Sequence, residues 1–304
     1  MEIDKIYCGD ALNTLKKIPD EFVDCVVTSP PYWGLRDYGV DGQIGLEPAL
    51  EEYLEKLLVI TKELKRVLKP TGIMFWNHGD CYGGIKTGKT DKKVSDCVRN
   101  SQRNLKKYAP KFEKCLMLQN YRLILKMVDR QNWILRNIII WHKSNHMPSS
   151  VKDRFANSYE PVFFFSKSKR YWSDLDAVRV SHKAESLERV KRNWDGHREP
   201  MSSYESMDIK RMCHPHGKNP GDVWKISTGG FKGAHFATFP EKLITPTIKF
   251  GCPKSGVVLD PFMGAGTTGL VAKKLGRHYI GIELNKSYVE MAEKRIAATP
   301  ELLI

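Results

Sequence analysis

The sequence predicts an α/β protein in which an open, mostly parallel sheet is flanked by helices and interrupted by an inserted polar region. Three observations carry that prediction. Short apolar runs alternate with segments of helical period; two of those runs end in Pro-rich or Gly-rich turns; and a polar middle without clear period separates the two α/β stretches.

In chain order, Lys5–Cys8 reads as a strand, Ala11–Ile18 as a helix, and Phe22–Val27 as an apolar strand running into Thr28-Ser29-Pro30-Pro31-Tyr32. Pro48 sits where the first turn of a helix tolerates proline, and Leu50, Tyr53, Leu54, Leu57, Leu58, Leu64 and Leu68 follow at helical spacing. Pro70 and Gly72 end that helix, and Ile73–Trp76 is the next strand. The segment 83–114, rich in Gly, Lys, Asn and Ser, has no apolar face and reads as a mobile basic loop. A helix over Asn120–Asp129 and β-rich runs at Trp133–His142 and Tyr159–Ser166 come next. No period emerges over 167–232, where aromatic and basic residues mix. The remainder returns to α/β pattern: a helix near Pro240–Phe250, strand Val257–Leu259, a Gly-rich turn, helix Gly269–Leu275, strand Tyr279–Ile282 and helix Lys286–Ala297.

Composition narrows the class. The 304 residues carry 49 Lys and Arg against 35 Asp and Glu, a net charge of +14, which suits a polyanionic partner. The excess is local: ten basic against three acidic residues over 83–114, and fourteen against nine over 167–232. No apolar run approaches the roughly 20 residues that span a bilayer, and Met1–Lys5 has no secretory pattern, so no membrane association and a cytoplasmic location are expected. The seven cysteines never fall at C-x-x-C spacing, which predicts reduced, mostly buried thiols; Cys213, His214 and His216 form the one cluster with zinc-like spacing, and no metal is expected.

Two motifs carry chemistry. Val257–Asp260 followed by Pro261-Phe262-Met263-Gly264-Ala265-Gly266-Thr267-Thr268 is an apolar strand, an acid at its carboxyl end, a Gly-rich turn and a helix start. Ligands of open α/β sheets bind outside the carboxyl ends of strands, where glycines let the backbone come close. The spacing Gly264-x-Gly266-x-x-Gly269, with Glu283 at the end of the next strand placed for ribose hydroxyls, fits a nucleoside cofactor. The second motif, Thr28–Tyr32, also ends a strand. Consecutive prolines leave no backbone N–H, so the Pro30 carbonyl is an acceptor. Ser29 and that carbonyl would take the two hydrogens of an exocyclic amino group while Tyr32 stacks on the base. Holding those hydrogens out of the ring plane would return electron density to nitrogen and help it attack an electrophilic methyl group.

At these residues the chain resembles the amino-group DNA methyltransferases, which use S-adenosylmethionine as cofactor. Asp260–Thr268 is similar to their Asp-Pro-Phe-x-Gly-x-Gly-Thr-Thr motif, and Ser29–Tyr32 to their catalytic Ser/Asn/Asp-Pro-Pro-Tyr motif. The resemblance implies a circularly permuted, Rossmann-like methyltransferase fold of the β group, with residues 1–166 and 233–304 as the two parts of the catalytic domain and 167–232 as the target-recognition region. It implies that Asp10 lies by the cofactor's adenine and Phe236 near its methionine end, and that Asp260, Pro261, Phe262, Gly264, Gly266, Thr267, Thr268 and Glu283 hold the rest. Trp141–Asn145 and Tyr159–Phe165 resemble strand motifs that support the target pocket. Catalysis would rest on Ser29, Pro30, Pro31 and Tyr32, and double-stranded DNA would be gripped by Lys86, Lys89, Lys92, Lys93, Arg189, Lys191 and Arg192. Serine at 29 resembles the N4-cytosine subgroup more than the N6-adenine subgroup, which remains the alternative. Family analogy also raises a cognate restriction endonuclease and a homodimer as partners.

Gly83-Gly84-Ile85-Lys86-Thr87-Gly88-Lys89-Thr90 satisfies the P-loop pattern, which would make an ATPase acting on nucleic acid. Its context argues otherwise. Asp91–Lys107 has no apolar stripe with which a P-loop helix packs on its sheet, and Asn77–Tyr82 interrupts the preceding strand. A cytosine-C5 mechanism lacks its nucleophile, since no Pro-Cys pair occurs in the chain.

Overall fold

The computed structural model describes residues 1–83, 112–191, 213–229 and 239–300, with backbone alone at 189–191. The chain divides into a larger unit, Met1–Ser173 with Asp222–Ile304, and a smaller one, Asp174–Gly221.

Among the described residues of the larger unit, eight strands form one sheet: β1 (Lys5–Cys8), β2 (Val23–Thr28), β3 (Leu68–Asn77), β4 (Ile134–His142), β5 (Tyr159–Ser166), β6 (Val223–Lys225), β7 (Val257–Asp260) and β8 (His278–Glu283). Their order across the sheet is β1-β8-β7-β2-β3-β5-β4-β6. Only β5 runs against the rest, pairing antiparallel with β3 and β4. The sheet is buried on both faces because successive residues point opposite ways. Cys25 and Val27, Ile73 and Phe75, and Val162 and Phe164 enter one core; Val26, Met74 and Trp76, and Phe163 and Phe165 enter the other.

The second of these cores is covered by α1 (Ala11–Leu15), α2 (Leu50–Val67) and α3 (Gln119–Gln131), the smaller unit contributes α4 (Ala184–Lys191), and the first core is covered by α5 (Glu241–Gly251), α6 (Thr267–Lys274) and α7 (Lys286–Ala297). In α2, Tyr53, Leu54, Leu57, Leu58, Ile60, Thr61, Leu64 and Val67 make the buried stripe that the leucine spacing predicted.

Several expected boundaries move for tertiary reasons. The second helix ends at Val67, before Pro70 and Gly72, and β3 starts at Leu68 because Leu68 pairs with Val23 across the sheet. α1 stops at Leu15, and α6 begins two residues before Gly269. The region expected as 167–232 is narrower as a compact unit: 167–173 and 222–229 belong to the larger one, where β6 pairs with β4. Gly83, the first residue of the P-loop pattern, does not directly follow a strand of the sheet, since β3 ends at Asn77; it bonds Cys115 and Lys114 beside the antiparallel Tyr82–Leu116 bridge. The rest of that pattern lies outside the described residues. Among the described residues, no helix is long and apolar enough to cross a membrane.

Candidate active site

All of the sheet's parallel strands end on one rim, and a cavity of about 490 Å³ runs along it. Asp10 follows β1, Glu283 ends β8, Pro261–Ala265 follow β7, Ser29–Tyr32 follow β2, Asn77 ends β3 and Lys143 follows β4; Glu160, from the start of the reversed strand β5, completes the wall. The two motifs recognised in sequence lie 232 residues apart yet meet, because β2 and β7 are neighbours and Thr28 Oγ1 donates to Asp260 Oδ1 at 2.6 Å.

Asp260 itself does not line the cavity. Its carboxylate is buried, accepting also from Thr268 Oγ1 at 2.6 Å and from the Phe262 amide at 3.0 Å, and burial pushes its pKa up to about 6. Asp260 and Thr268, expected at the cofactor, therefore brace the Gly-rich turn from behind. Gly266 is likewise set back: it caps α6 at φ +79°, and a Cβ there would stand 2.7 Å from Ala292 Cβ on α7. Pro261, Phe262, Gly264 and Thr267 do reach the cavity.

At the β1–β8 end the wall is acidic. Glu283 Oε2 accepts from the Gly264 amide and Oε1 from the Asn285 amide, both at 2.8 Å, which fixes the carboxylate while leaving lone pairs for two more donors. Burial raises its pKa. Asp10 caps α1 through the Asn13 amide at 2.8 Å and lines the same end. Tyr288 and Tyr38, edge to face at 6.4 Å, add aromatic wall that no sequence period announced.

At the other end a directed hydrogen-bond chain leaves Ser29. Its hydroxyl donates to Tyr32 Oη at 3.5 Å, Tyr32 donates to Glu160 Oε2 at 3.1 Å, and Lys143 forms an ion pair with Glu160 Oε1. Gly79 packs on Tyr32 so closely that a Cβ would stand 2.8 Å from the ring. Desolvation raises the Tyr32 pKa well above its ordinary value, so the phenol keeps its proton.

A second chain holds the prolines. Trp76 Nε1, which can only donate, reaches His78 Nδ1 at 3.4 Å, leaving His78 Nε2 to donate to Tyr53 Oη at 3.0 Å and Tyr53 to donate to the Pro31 carbonyl at 2.8 Å. Burial lowers the His78 pKa to about 3, which keeps this neutral tautomer. The Pro30 carbonyl accepts no hydrogen bond among the described residues. Tyr53 and His78 carry no family motif and were invisible as site residues in the sequence.

Phe236, Lys86, Lys89, Lys92, Lys93 and Arg192 lie outside the described residues, and Arg189 and Lys191 are described by backbone alone, on α4. In the smaller unit, Asp176 rather than Cys213 joins His214 and His216, with donor atoms within 4.8 Å of one another. Arg179 already holds Asp176 at 2.6 Å.

A family model described as DNA methylase, of the N6 and N4 type, matches residues 23–294. The chain belongs to the DNA amino-methyltransferases. The methyltransferase is 39% identical to Type II methyltransferase M.XycI of Xanthomonas campestris pv. cyanopsidis over 96% of its length and 87% of that protein's. It is 38% identical to M.SmaI of Serratia marcescens, covering 96% and 90%. Among solved structures, PvuII DNA methyltransferase (cytosine-N4-specific) superposes with a TM-score of 0.63 at 22% identity, over 97% of this chain and 94% of that one. The complex of M1.HpyAVI with SAM gives 0.56 at 20%, over 96% and 98%. The methyltransferase's own donor set fits S-adenosylmethionine: an anchored carboxylate for vicinal hydroxyls, aromatic and apolar wall for adenine, and a Gly-rich turn where the backbone can approach.

Proposed function

We propose that the methyltransferase modifies the exocyclic N4 of a cytosine flipped out of duplex DNA, at a specific site. The observation that carries this reading is the single cavity joining Glu283 to Ser29 along one rim. Bound there, S-adenosylmethionine supplies an electrophilic methyl group on a sulfonium.

The protein's part is orientation. Glu283 takes ribose hydroxyls, Asp10 lies by the adenine, and Pro261, Phe262, Gly264 and Thr267 hold the amino-acid end. Because Ser29 sends its own proton toward Tyr32 and Glu160, its oxygen is left to accept one amino hydrogen, and the Pro30 carbonyl takes the other. The Tyr53 clamp on Pro31 keeps that carbonyl aimed. Both acceptors favour a pyramidal, nucleophilic nitrogen in the transition state. Tyr32 stacks on the base. Serine at 29 and the likeness to the cytosine-N4-specific PvuII methyltransferase favour cytosine; N6 of adenine is the second reading. Lys86, Lys89, Lys92, Lys93, Arg189, Lys191 and Arg192 are assigned to phosphate contacts, Phe236 to the cofactor's methionine end, and a cognate endonuclease, a homodimer and a cytoplasmic location complete the proposal.

Transfer of labelled methyl from S-adenosylmethionine to duplex DNA, followed by digestion to nucleosides, tests it. Label in N4-methyldeoxycytidine is expected; label in N6-methyldeoxyadenosine alone would move the target to adenine. Thermal stabilisation by ATP with magnesium and none by S-adenosylmethionine would point to the P-loop reading instead. Ser29→Ala should lower kcat by about ten- to a hundredfold, the loss of one aligned hydrogen bond, with little change in cofactor affinity.

A further inference from the structure

The connection from β4 to β5 joins two strands that wall the target end of the cavity, through Lys143 and Glu160. Its ends are firmly held. The Lys143 amide donates to the Ser158 carbonyl at 2.8 Å, and Asn145 Oδ1 accepts from the Thr228 amide at 2.7 Å. Farther out, Asp153 pairs with Lys114 at 2.7 Å, Arg154 lies 3.9 Å over the Tyr82 ring, and Tyr82 Oη donates to Asn157 at 3.4 Å.

A loop braced at so many points would be expected to tuck its large apolar residues away. It does the reverse: Phe155 is 95% exposed and Met147 86%. These are the two most exposed large apolar side chains among the described residues. Both lie inside the connection, and Phe155 directly follows the basic Arg154, with Lys152 three residues before it and Asp153, already paired with Lys114, between the two. An exposed ring with basic residues close by, on a connection whose two ends line a pocket that must receive a base, matches the chemistry of a stacked duplex with phosphates along its edge.

We propose that Phe155, assisted by Met147, is a wedge that enters the DNA stack and fills the space vacated by the flipped base. This rests on the base-flipping reading above. Extruding a base leaves an apolar gap between neighbouring pairs, and a flat ring restores the missing stacking while opposing re-entry. The brace on Asp153, Arg154 and Asn157 pre-organises the ring, so that its ordering is not charged against DNA binding. Lys152 is left to hold an adjoining phosphate.

The test compares methylation of two duplexes carrying the enzyme's own site, located by sequencing DNA that the wild-type enzyme has modified. In one the target base is paired; in the other it faces an abasic position, so that it is already free to leave the stack. Phe155→Ala should slow single-turnover methylation of the paired duplex by about tenfold or more, and by less than about threefold on the abasic duplex, as expected when base–aromatic stacking is removed. Phe155→Trp should retain the wild-type rate. Equal loss on both duplexes, or no loss on either, would overturn the wedge. So would a shift of Phe155→Ala from dimer to monomer in sedimentation with both rates unchanged, which would make the ring a contact between copies. A wild-type enzyme that methylates single strands and never duplexes would overturn base flipping itself, and the wedge with it.

Discussion

Asp260 and Ser29 stand on adjacent strand ends, yet they do opposite work. Ser29 faces the cavity; Asp260 is turned inward, its oxygens taken by Thr28, Thr268 and the Phe262 amide. The acid of the Gly-rich motif reads from sequence as a ligand contact, and only the packing shows it consumed as a brace. Its pKa, raised by burial from 3.8 to about 6, has a consequence for stability. Between those values the folded chain holds a proton that the unfolded chain has released, so this group's contribution to stability falls as pH rises from about 4 to about 6 and is level above. The drop is on the order of 3 kcal/mol. Asp260→Asn removes the titration, while Thr268, whose hydroxyl also reaches the Val27 carbonyl at 3.3 Å, can turn to accept from the new amide. Melting temperatures across that pH range should therefore flatten in Asp260→Asn relative to wild type. An unchanged slope would remove Asp260 as its source.

At the level of elements, the Gly-rich turn is shaped by its neighbours. Gly266 combines a left-handed φ of +79° with close approach to α7, so any side chain is strained twice. Gly266→Ala should destabilise by about 2–4 kcal/mol, the sum of left-handed strain and overpacking, visible in a denaturant midpoint. Elements with strong local signals were legible in sequence. α7 begins and ends where expected, since Asn285 accepts from the Ser287 amide at 2.9 Å and a helical stripe follows. Those defined by partners were not. β6 has three residues and no pattern of its own; it exists because Ile140–His142 offer it a parallel edge. β3 extends beyond Ile73–Trp76 for the same reason, borrowing Leu68 through its pairing with β2.

On the scale of the whole molecule, strand order makes the site. Neighbouring β7 and β2 bring a motif near residue 260 against one near residue 29, and the reversal of β5 delivers Glu160 from a strand's beginning to a rim otherwise built from strand ends. The net charge of +14 belongs to this scale as well, since its excess lies in 83–114 and 167–232. Replacing Lys86, Lys89, Lys92 and Lys93 by Gln should weaken binding evenly across DNA sequences and reduce the slope of log K against log salt by about 0.9 for each phosphate that is no longer neutralised. Weakening confined to one DNA sequence would instead assign them to base reading.

The sequence alone determined the α/β class, the two chemical motifs and the family, because strand ends, prolines and glycines impose backbone states that a few adjacent residues reveal. The tertiary structure decided which of those residues face the ligand. Whether Asp260 is a contact or a brace, whether Tyr32 is tied to Glu160, and that Tyr53 and His78 clamp the Pro31 carbonyl all depend on hydrogen bonds between residues far apart in the chain. Such bonds leave no local period, since each polar partner satisfies its burial only once the sheet has brought the other to it.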